Sequence, residues 1–530
     1  MAYTKSPFRS YIPKSVKGPA IVLLILLQSF VSGITASSVQ QISSFYGLER
    51  STVILFTQSG AIGMVAIIPI YYRLRMCFQK ADLLYTALLA QFIISFLCYT
   101  LNNSTLLLVC NFFMGMLKLM CLLDFISLLV ALYPSLRHRA LFYGFYYALA
   151  RTLSQFSNIV TNNTAEQYGW QVIYFISALA ALICIILCIL LFHEQRTHRR
   201  IPLYQVEWIS MFLFIISAVS FCYVLTLGQT KEWFDAADIR YAAGIFLLSA
   251  SVFVYRQYHI KRPYWNIRVF RLHKQIPLGI MFMIVMYFFS STGLILDQYA
   301  KYNFNNIENY LSAVAAITLC AYVICFPLAG LLLYYGMPKR LLLCIGFMCY
   351  AISLICFCHI VQTSLSFYNL FLPYLLQGMA YAFTITTLST FTATNIPRSH
   401  NPDRVMSSLS SRYIVGSFAG YSIYTNWLYR DMARQKVYLS ERLTDNNFTF
   451  IDELRKVSSA FISIGMNKQE ALQMAKASIE KRLQLQAMLV SMKEITFYAG
   501  GLAIIVAVVV LLIRKFGMHE TASGNRYKIV

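Results

Sequence analysis

The chain has 530 residues, of which 58% are hydrophobic and 12% charged, with a mean hydropathy of +0.60 and a net charge of +23. A soluble protein carries roughly twice that charged fraction, and here apolar stretches of about twenty residues recur from end to end, each long enough to cross about 30 Å of hydrocarbon. Composition thus excludes a soluble globular enzyme, and continuous rather than alternating apolar segments exclude a β-barrel.

The N-terminal lead, residues 1–17, is polar and basic and has no small-residue cleavage site, so the first apolar stretch reads as a retained span. Spans are predicted at 18–43, 52–72, 82–101, 106–132, 140–164, 170–192, 207–227, 239–256, 276–297, 309–335, 340–361, 368–394, 405–428 and 495–514. Basic residues fall in every second connector: Lys5, Arg9, Lys14 and Lys17; Arg73, Arg75 and Lys80; Arg137 and Arg139; Arg196 to Arg200; Arg256 to Lys274; Lys339 and Arg340; Arg398 and Arg404; and Arg514 to Lys528. The connectors 102–104 and 362–367 carry none. With fourteen crossings all the basic connectors share one side, which predicts cytoplasmic termini in a cytoplasmic (inner) membrane. The excess positive charge is accounted for by this rule and by anionic lipid, and no nucleic-acid module is present.

The thirteen cysteines lie mostly within spans and read as reduced thiols; Cys356, Cys358 and His359 are too closely spaced for a zinc site. The connector 429–494 is long and translocated, with helices predicted at 449–463 and 467–490 and a capping pair in Asn467 and Glu470. It reads either as a small cap on the outer mouth or as a docking element for an outer adaptor protein.

Charge inside a span is costly and marks function by default. Lys118, Asp124, Arg151 and Arg412 lie well inside spans, whereas Asp82, Glu207, Asp297 and His359 lie near span ends. Arg151, Gln155, Asn158 and Asn162 recur at i, i+4, i+7 and i+11, which puts them on one helical face. That face is either an interhelical hydrogen-bond seam or the lining of a wet cavity. Lys118 and Asp124 point about 240° apart on an ideal helix and do not form a pair. Asp124 and Arg151 have similar depths, so a structural Asp124–Arg151 bridge is one expectation; proton carriage by Asp124 is the other. Three cations against one anion suit an anionic or neutral amphipathic substrate. Phe145, Tyr146, Tyr147, Tyr381 and Phe383 read as packing or as pocket lining, and Gly416 with Gly420 as a close helix contact.

Local motifs carry a resemblance. Tyr168-Gly169-Trp170-Gln171-Val172-Ile173-Tyr174-Phe175 enters span 6, Glu232-Trp233-Phe234-Asp235 lies between spans 7 and 8, and Leu376-Gln377-Gly378-Met379-Ala380, Asn395-Ile396-Pro397 and Ser407-Ser408-Leu409-Ser410 follow in spans 12 and 13. In order and spacing the chain resembles the fourteen-helix drug:proton antiporter branch of the major facilitator superfamily, which includes multidrug and quaternary-ammonium exporters. The resemblance implies an all-α membrane protein of the major facilitator fold, with two six-helix bundles plus two inserted helices. The expected units are 1–192, 193–274 and 275–530, with the outer helical loop 429–494 in the last. A central cavity with alternating access is implied, and Gln377 and Gln28 join the candidate site. The chain departs from the branch where Asn111 stands in place of the span 4 arginine, where Ser157 to Asn162 replace the span 5 glycines, and where Gln28, Ser29 and Ser32 replace the span 1 aspartate.

No ATP-binding loop, metal cluster or catalytic constellation appears, and no cofactor is implied. The expected function is a secondary transporter, not an enzyme, exporting small amphipathic compounds in exchange for protons, with membrane lipids around it. An organic-anion or metabolite carrier, as symporter or uniporter, is the alternative. A non-transporting receptor or accessory membrane protein is the rival of another class.

Overall fold

In hydrocarbon a backbone must satisfy its own hydrogen bonds, and each apolar stretch accordingly forms a helix. The computed structural model describes residues 8–31, 38–101, 103–193, 206–293, 295–296, 298–299, 307–361, 367–394, 396–441 and 448–513. The first bundle is built from α1 (Lys14–Phe30), the short α2 (Ser38–Tyr46), α3 (Arg50–Cys77), α4 (Lys80–Thr100), α5 (Ser104–Leu132), α6 (Arg139–Tyr168) and α7 (Val172–Leu191). An inserted pair follows, α8 (Trp208–Leu227) and α9 (Ala237–His259), and then the one-turn α10 (Val269–Leu272). The second bundle comprises α11 (Gln275–Ser290), α12 (Ile307–Tyr334), α13 (Lys339–Ile360), α14 (Phe371–Ala393), α15 (Asn401–Leu409), a π-helical turn Ser410–Gly416, α16 (Ser417–Ser440), α17 (Phe448–Ser463) and α18 (Lys468–Leu512).

Nine described helices are long and apolar enough to cross a membrane, and two more apolar helices, Ser15–Phe30 and Gln275–Ser290, are shorter. Of the described helices outside this set, α6, α14 and α15 help to join the bundles, α14 packing on α6 and α15 on α3. Close approach inside the first bundle depends on glycine: a Cβ on Gly115 of α5 would lie 2.0 Å from the Gly60 carbonyl oxygen of α3. Such small-residue contacts supply the packing that hydrophobicity cannot supply within lipid.

Two expectations are corrected. The predicted first span 18–43 stops at Phe30. Its last carbonyls are taken by polar side chains: Lys118 Nζ (3.5 Å) and Ser157 Oγ (3.2 Å) donate to Ser29 O, and Ser177 Oγ donates to Phe30 O at 2.8 Å. At the other end, the predicted helix 467–490 and span 495–514 are one uninterrupted helix, α18, of 45 residues. No Gly or Pro falls between Lys468 and Ala499, and Lys, Glu, Gln, Ala, Leu and Met dominate there. Asn467 caps it as predicted, accepting from Lys468 N at 2.8 Å.

The polar part of α18 packs with α17 and the end of α16 as a helical extension. It is tied by Lys436–Glu480 (2.9 Å), Arg482–Glu453 (2.9 Å) and Arg434–Glu494 (2.8 Å). The Lys436 ammonium holds the Glu480 carboxyl below its ordinary range.

The inserted pair is joined to both bundles through the connector after α9. Arg73 Nη2 of α3 donates to Pro263 O at 2.8 Å, and the buried Tyr264 hydroxyl donates to Ala66 O. On the other side Trp265 Nε1 donates to Ser407 Oγ at 3.1 Å, and Asn266 N to Asp403 Oδ1 at 2.9 Å. Glu207, expected near a span end, pairs with Arg256 at 3.2 Å. Asp82 and His359 are exposed, and Asp297 lies outside the described residues.

Candidate functional site

The bundles meet most closely along α6 and α12. Toward the face that carries the basic connectors, a Cβ on Gly144 would lie 2.7 Å from Gly330 Cα, so the two backbones touch. Arg139 Nη2 donates to Ile396 O at 3.3 Å at the same end. Toward the opposite face, Ser312 Oγ donates to Asn163 Oδ1 at 2.8 Å. Between these contacts lies a cavity of about 260 Å³, lined by Gln155, Asn158 and Asn162 of α6, Thr318 and Tyr322 of α12, Tyr374, Gln377 and Tyr381 of α14, and Ser290. Gln155 Oε1 accepts from Asn158 Nδ2 at 3.3 Å, and Gln377 Nε2 donates to Thr292 Oγ1 at 3.4 Å.

A layer of arginine and tyrosine forms the floor of this cavity. Arg151 Nη2 donates to the Tyr287 hydroxyl at 3.2 Å and to the Tyr381 hydroxyl, and its guanidinium stands 5.0 Å from the Tyr381 ring centroid. The Tyr287 and Tyr381 hydroxyls are 3.0 Å apart. Arg412 projects from the π-helical turn, a wider coil often found at functional positions. It is 4% exposed, and its Nη1 donates to the Tyr147 hydroxyl at 2.9 Å. That hydroxyl lies 2.7 Å from Ser389 Oγ. Gly416 and Gly420 sit against α11, where a Cβ would meet Tyr287 Cβ at 2.7 Å and Ser291 Oγ at 2.3 Å.

Each arginine thus bonds tyrosines of the other bundle: Arg151 of α6 reaches α11 and α14, and Arg412 reaches Tyr147 of α6. Among the described residues, no carboxylate forms an ion pair with either arginine. Hydroxyl dipoles and ring faces offset part of the desolvation of a guanidinium, and among the described residues no anion offsets either positive charge. The layer is electropositive, and hydroxyls are weaker partners for it than an anion.

The predicted residues divide into two sets. Arg151, Gln155, Asn158, Asn162, Gln377 and Arg412 come together at the cavity and its floor. Lys118, Asp124 and Gln28 do not. Lys118 donates to the C-terminal carbonyl of α1, where a cation is favoured by the helix dipole. Gln28 is buried within the first bundle, with Nε2 3.1 Å from Gln91 Oε1 and 3.9 Å from Cys184 Sγ. The expected Asp124–Arg151 bridge does not form: Asp124 Oδ1 lies 3.4 Å from Arg75 Nη2. The close packing of α3 on α5 brings Arg75 over Asp124, whereas Arg151 turns toward the second bundle.

The tyrosines are the residues that sequence reasoning undervalued. Tyr143, Tyr147, Arg151 and Gln155 repeat every four residues, so the stripe was visible on α6. Tyr287 stands alone in an apolar segment, and its pairing with Arg151 is made only by the fold.

Two packed helical bundles, a polar cavity between them and a closed layer on one side define a membrane carrier. The chain belongs to the Major Facilitator Superfamily, whose family model matches residues 21–423. Its architecture is similar to that of the POT family transporter PepTSo, at a TM-score of 0.56 and 14% identity, covering 95% of this chain and 99% of that one. A POT family transporter in complex with 5-aminolevulinic acid is similar at a TM-score of 0.56 and 12% identity, covering 96% and 97%. A peptide transporter POT in complex with sulfate follows at 0.55 and 12%, covering 96% and 97%. No curated protein matches in sequence. At these identities the likeness is one of fold.

Replacing Gln155 with leucine is expected to raise KM for the carried solute about tenfold, the equivalent of one lost hydrogen bond, with kcat little changed. Initial-rate transport across a solute series checks this; an unchanged KM would place Gln155 outside the solute's path.

Proposed function

We propose that the chain is a secondary transporter that carries small amphipathic solutes, organic anions before cations, by alternating access through the cavity between its bundles. The observation that carries this reading is the pair of arginines, Arg412 buried and Arg151 half-buried, one from each bundle, whose hydrogen bonds among the described residues go to hydroxyls and a backbone carbonyl. A site for lipophilic cations would hold net negative charge instead. With the basic face cytoplasmic, as the distribution of Lys and Arg supports, the described form is closed toward the cytoplasm. The units 1–192, 193–274 and 275–530 then act as rocking bundle, inserted pair and rocking bundle.

A second reading is proton-coupled efflux, as in the drug:proton antiporters that the sequence motifs resemble. Asp124 favours it, as a carboxylate 6% exposed within a span, with Arg75 as the group that would sense its protonation. Membrane lipid, the solute and a proton are the partners this reading requires, and the segment 429–494 is where an outer adaptor would dock.

Reconstitution in proteoliposomes tests the proposal. Organic anions of matched size are expected to move at least about tenfold faster than organic cations. Under the second reading, an imposed pH gradient drives accumulation. Movement of cations alone would overturn the anion preference, and indifference to the gradient would remove proton coupling.

A further inference from the structure

Tyr381 belongs to both parts of the site: it lines the cavity and bonds Arg151 beneath it. Arg151 itself is not among the lining residues, so in this form the cation sits one layer below the solute space. Its partners Tyr287 and Tyr381 come from the second bundle, which makes those hydrogen bonds a tie between bundles as well as a cover.

Resting on the transport reading, we propose that Arg151 anchors the acidic group of the solute, a carboxylate or similar monoanion, and that Tyr381 is the latch it displaces. A carboxylate takes a guanidinium through two parallel charge-assisted bonds, whereas each hydroxyl offers one neutral acceptor. The exchange therefore runs toward the solute. As the solute binds, the bonds from Arg151 to Tyr287 and Tyr381 break, and α6 loses a link to α11 and α14. A ligand shifts a conformational equilibrium only by its differential affinity for the two states, and here that difference is built in, because the anion competes with the interbundle tie. An uncharged or cationic solute of the same shape cannot take the guanidinium and leaves the latch closed. Arg412 keeps its bond to Tyr147 through this step, so one negative charge suffices.

The test uses full-length protein in detergent and three probes with one apolar body: naphthalene-2-carboxylate, 2-naphthalenemethanol and 2-naphthylmethylamine. Calorimetry gives affinity. Pulsed EPR between spin labels at Ser135→Cys and Tyr335→Cys, exposed positions of the two bundles on the basic face, gives its opening, in a background in which the exposed Cys320 is replaced by serine.

The carboxylate is expected to bind at least about tenfold more tightly than the alcohol or amine and to lengthen the label distance. Arg151→Gln should erase that preference, while Arg151→Lys should keep it with about tenfold weaker binding through loss of the bidentate geometry. Tyr381→Phe, which keeps the ring and removes the hydroxyl, should tighten carboxylate binding severalfold and lengthen the distance without ligand. A carboxylate preference that survives in Arg151→Gln, or a Tyr381→Phe variant that binds more weakly and stays closed, overturns the proposal. So does the absence of carboxylate binding. Counterflow of the alcohol or amine in proteoliposomes then separates the outcomes: if either moves, the carrier reading stands and only the anchor falls.

Discussion

Gly144→Val is expected to reduce transport at least about a hundredfold while the protein still folds and inserts. Gly144 and Gly330 touch backbone to backbone, and a Cβ on Gly144 would already lie 2.7 Å from Gly330 Cα and 3.0 Å from Phe326 O. Neither obstacle is a side-chain tip that can swing aside. Valine must push α6 from α12 on the basic half, where Arg139 and Ile396 also meet. Each bundle keeps its own core, so the damage falls on the closed form of the interface. A hundredfold loss corresponds to about 2.7 kcal/mol set against that form. Counterflow measures the loss, and amide hydrogen exchange at the basic end of α6 should quicken. A wild-type rate in the valine variant would show that closure of this face is no part of the cycle.

The second large effect is on stability. Asp124→Ala removes the ion-pair contact to Arg75, whose guanidinium also lies 5.6 Å from the Tyr71 ring centroid. Breaking a fully buried ion pair by removing one partner costs about 3–5 kcal/mol. The Arg75 side chain is 17% exposed, so water reaches it and the lower end, about 3 kcal/mol, is the expectation. The thermal midpoint in detergent should fall for Asp124→Ala and recover in large part for Asp124→Ala with Arg75→Ala. A double variant no more stable than the single one would mean that Asp124 serves the fold by something other than this pair.

The membrane class and the helical content were legible because lipid turns a local property, apolar length, into a global one; the superfamily came from the resemblance that the ordered local motifs carry. The helical face of Arg151, Gln155, Asn158 and Asn162 was legible for the same local reason: spacing on one helix needs no knowledge of its neighbours. Asp124 was not, because depth along a span says how high a residue stands but not which helix stands beside it. Gly60 and Gly115 decided that, by letting α3 approach α5. The end of the helix at Phe30 was not legible because Val31, Ile34, Val39 and Ile42 still recur beyond it, while the donors to its last carbonyls, Lys118, Ser157 and Ser177, lie on three other helices. The Tyr287 and Tyr381 contacts to Arg151 join residues more than a hundred positions apart from it, and no pattern in the chain marks such a meeting.

The length of α18 has a mechanical consequence. At 1.5 Å per residue its 45 residues reach about 68 Å, of which the stretch from Lys468 to Glu494 accounts for about 40 Å. Ion pairs to α16 and α17 brace it as a stiff mast rooted in the second bundle. A tilt of that bundle by about 10° sweeps the top of the mast through about 7 Å. Small rearrangements around Arg151 and Gly144 are thereby magnified at a distance, and a fluorophore at Ile464, 76% exposed near the tip, would follow each turn of the carrier from outside the membrane.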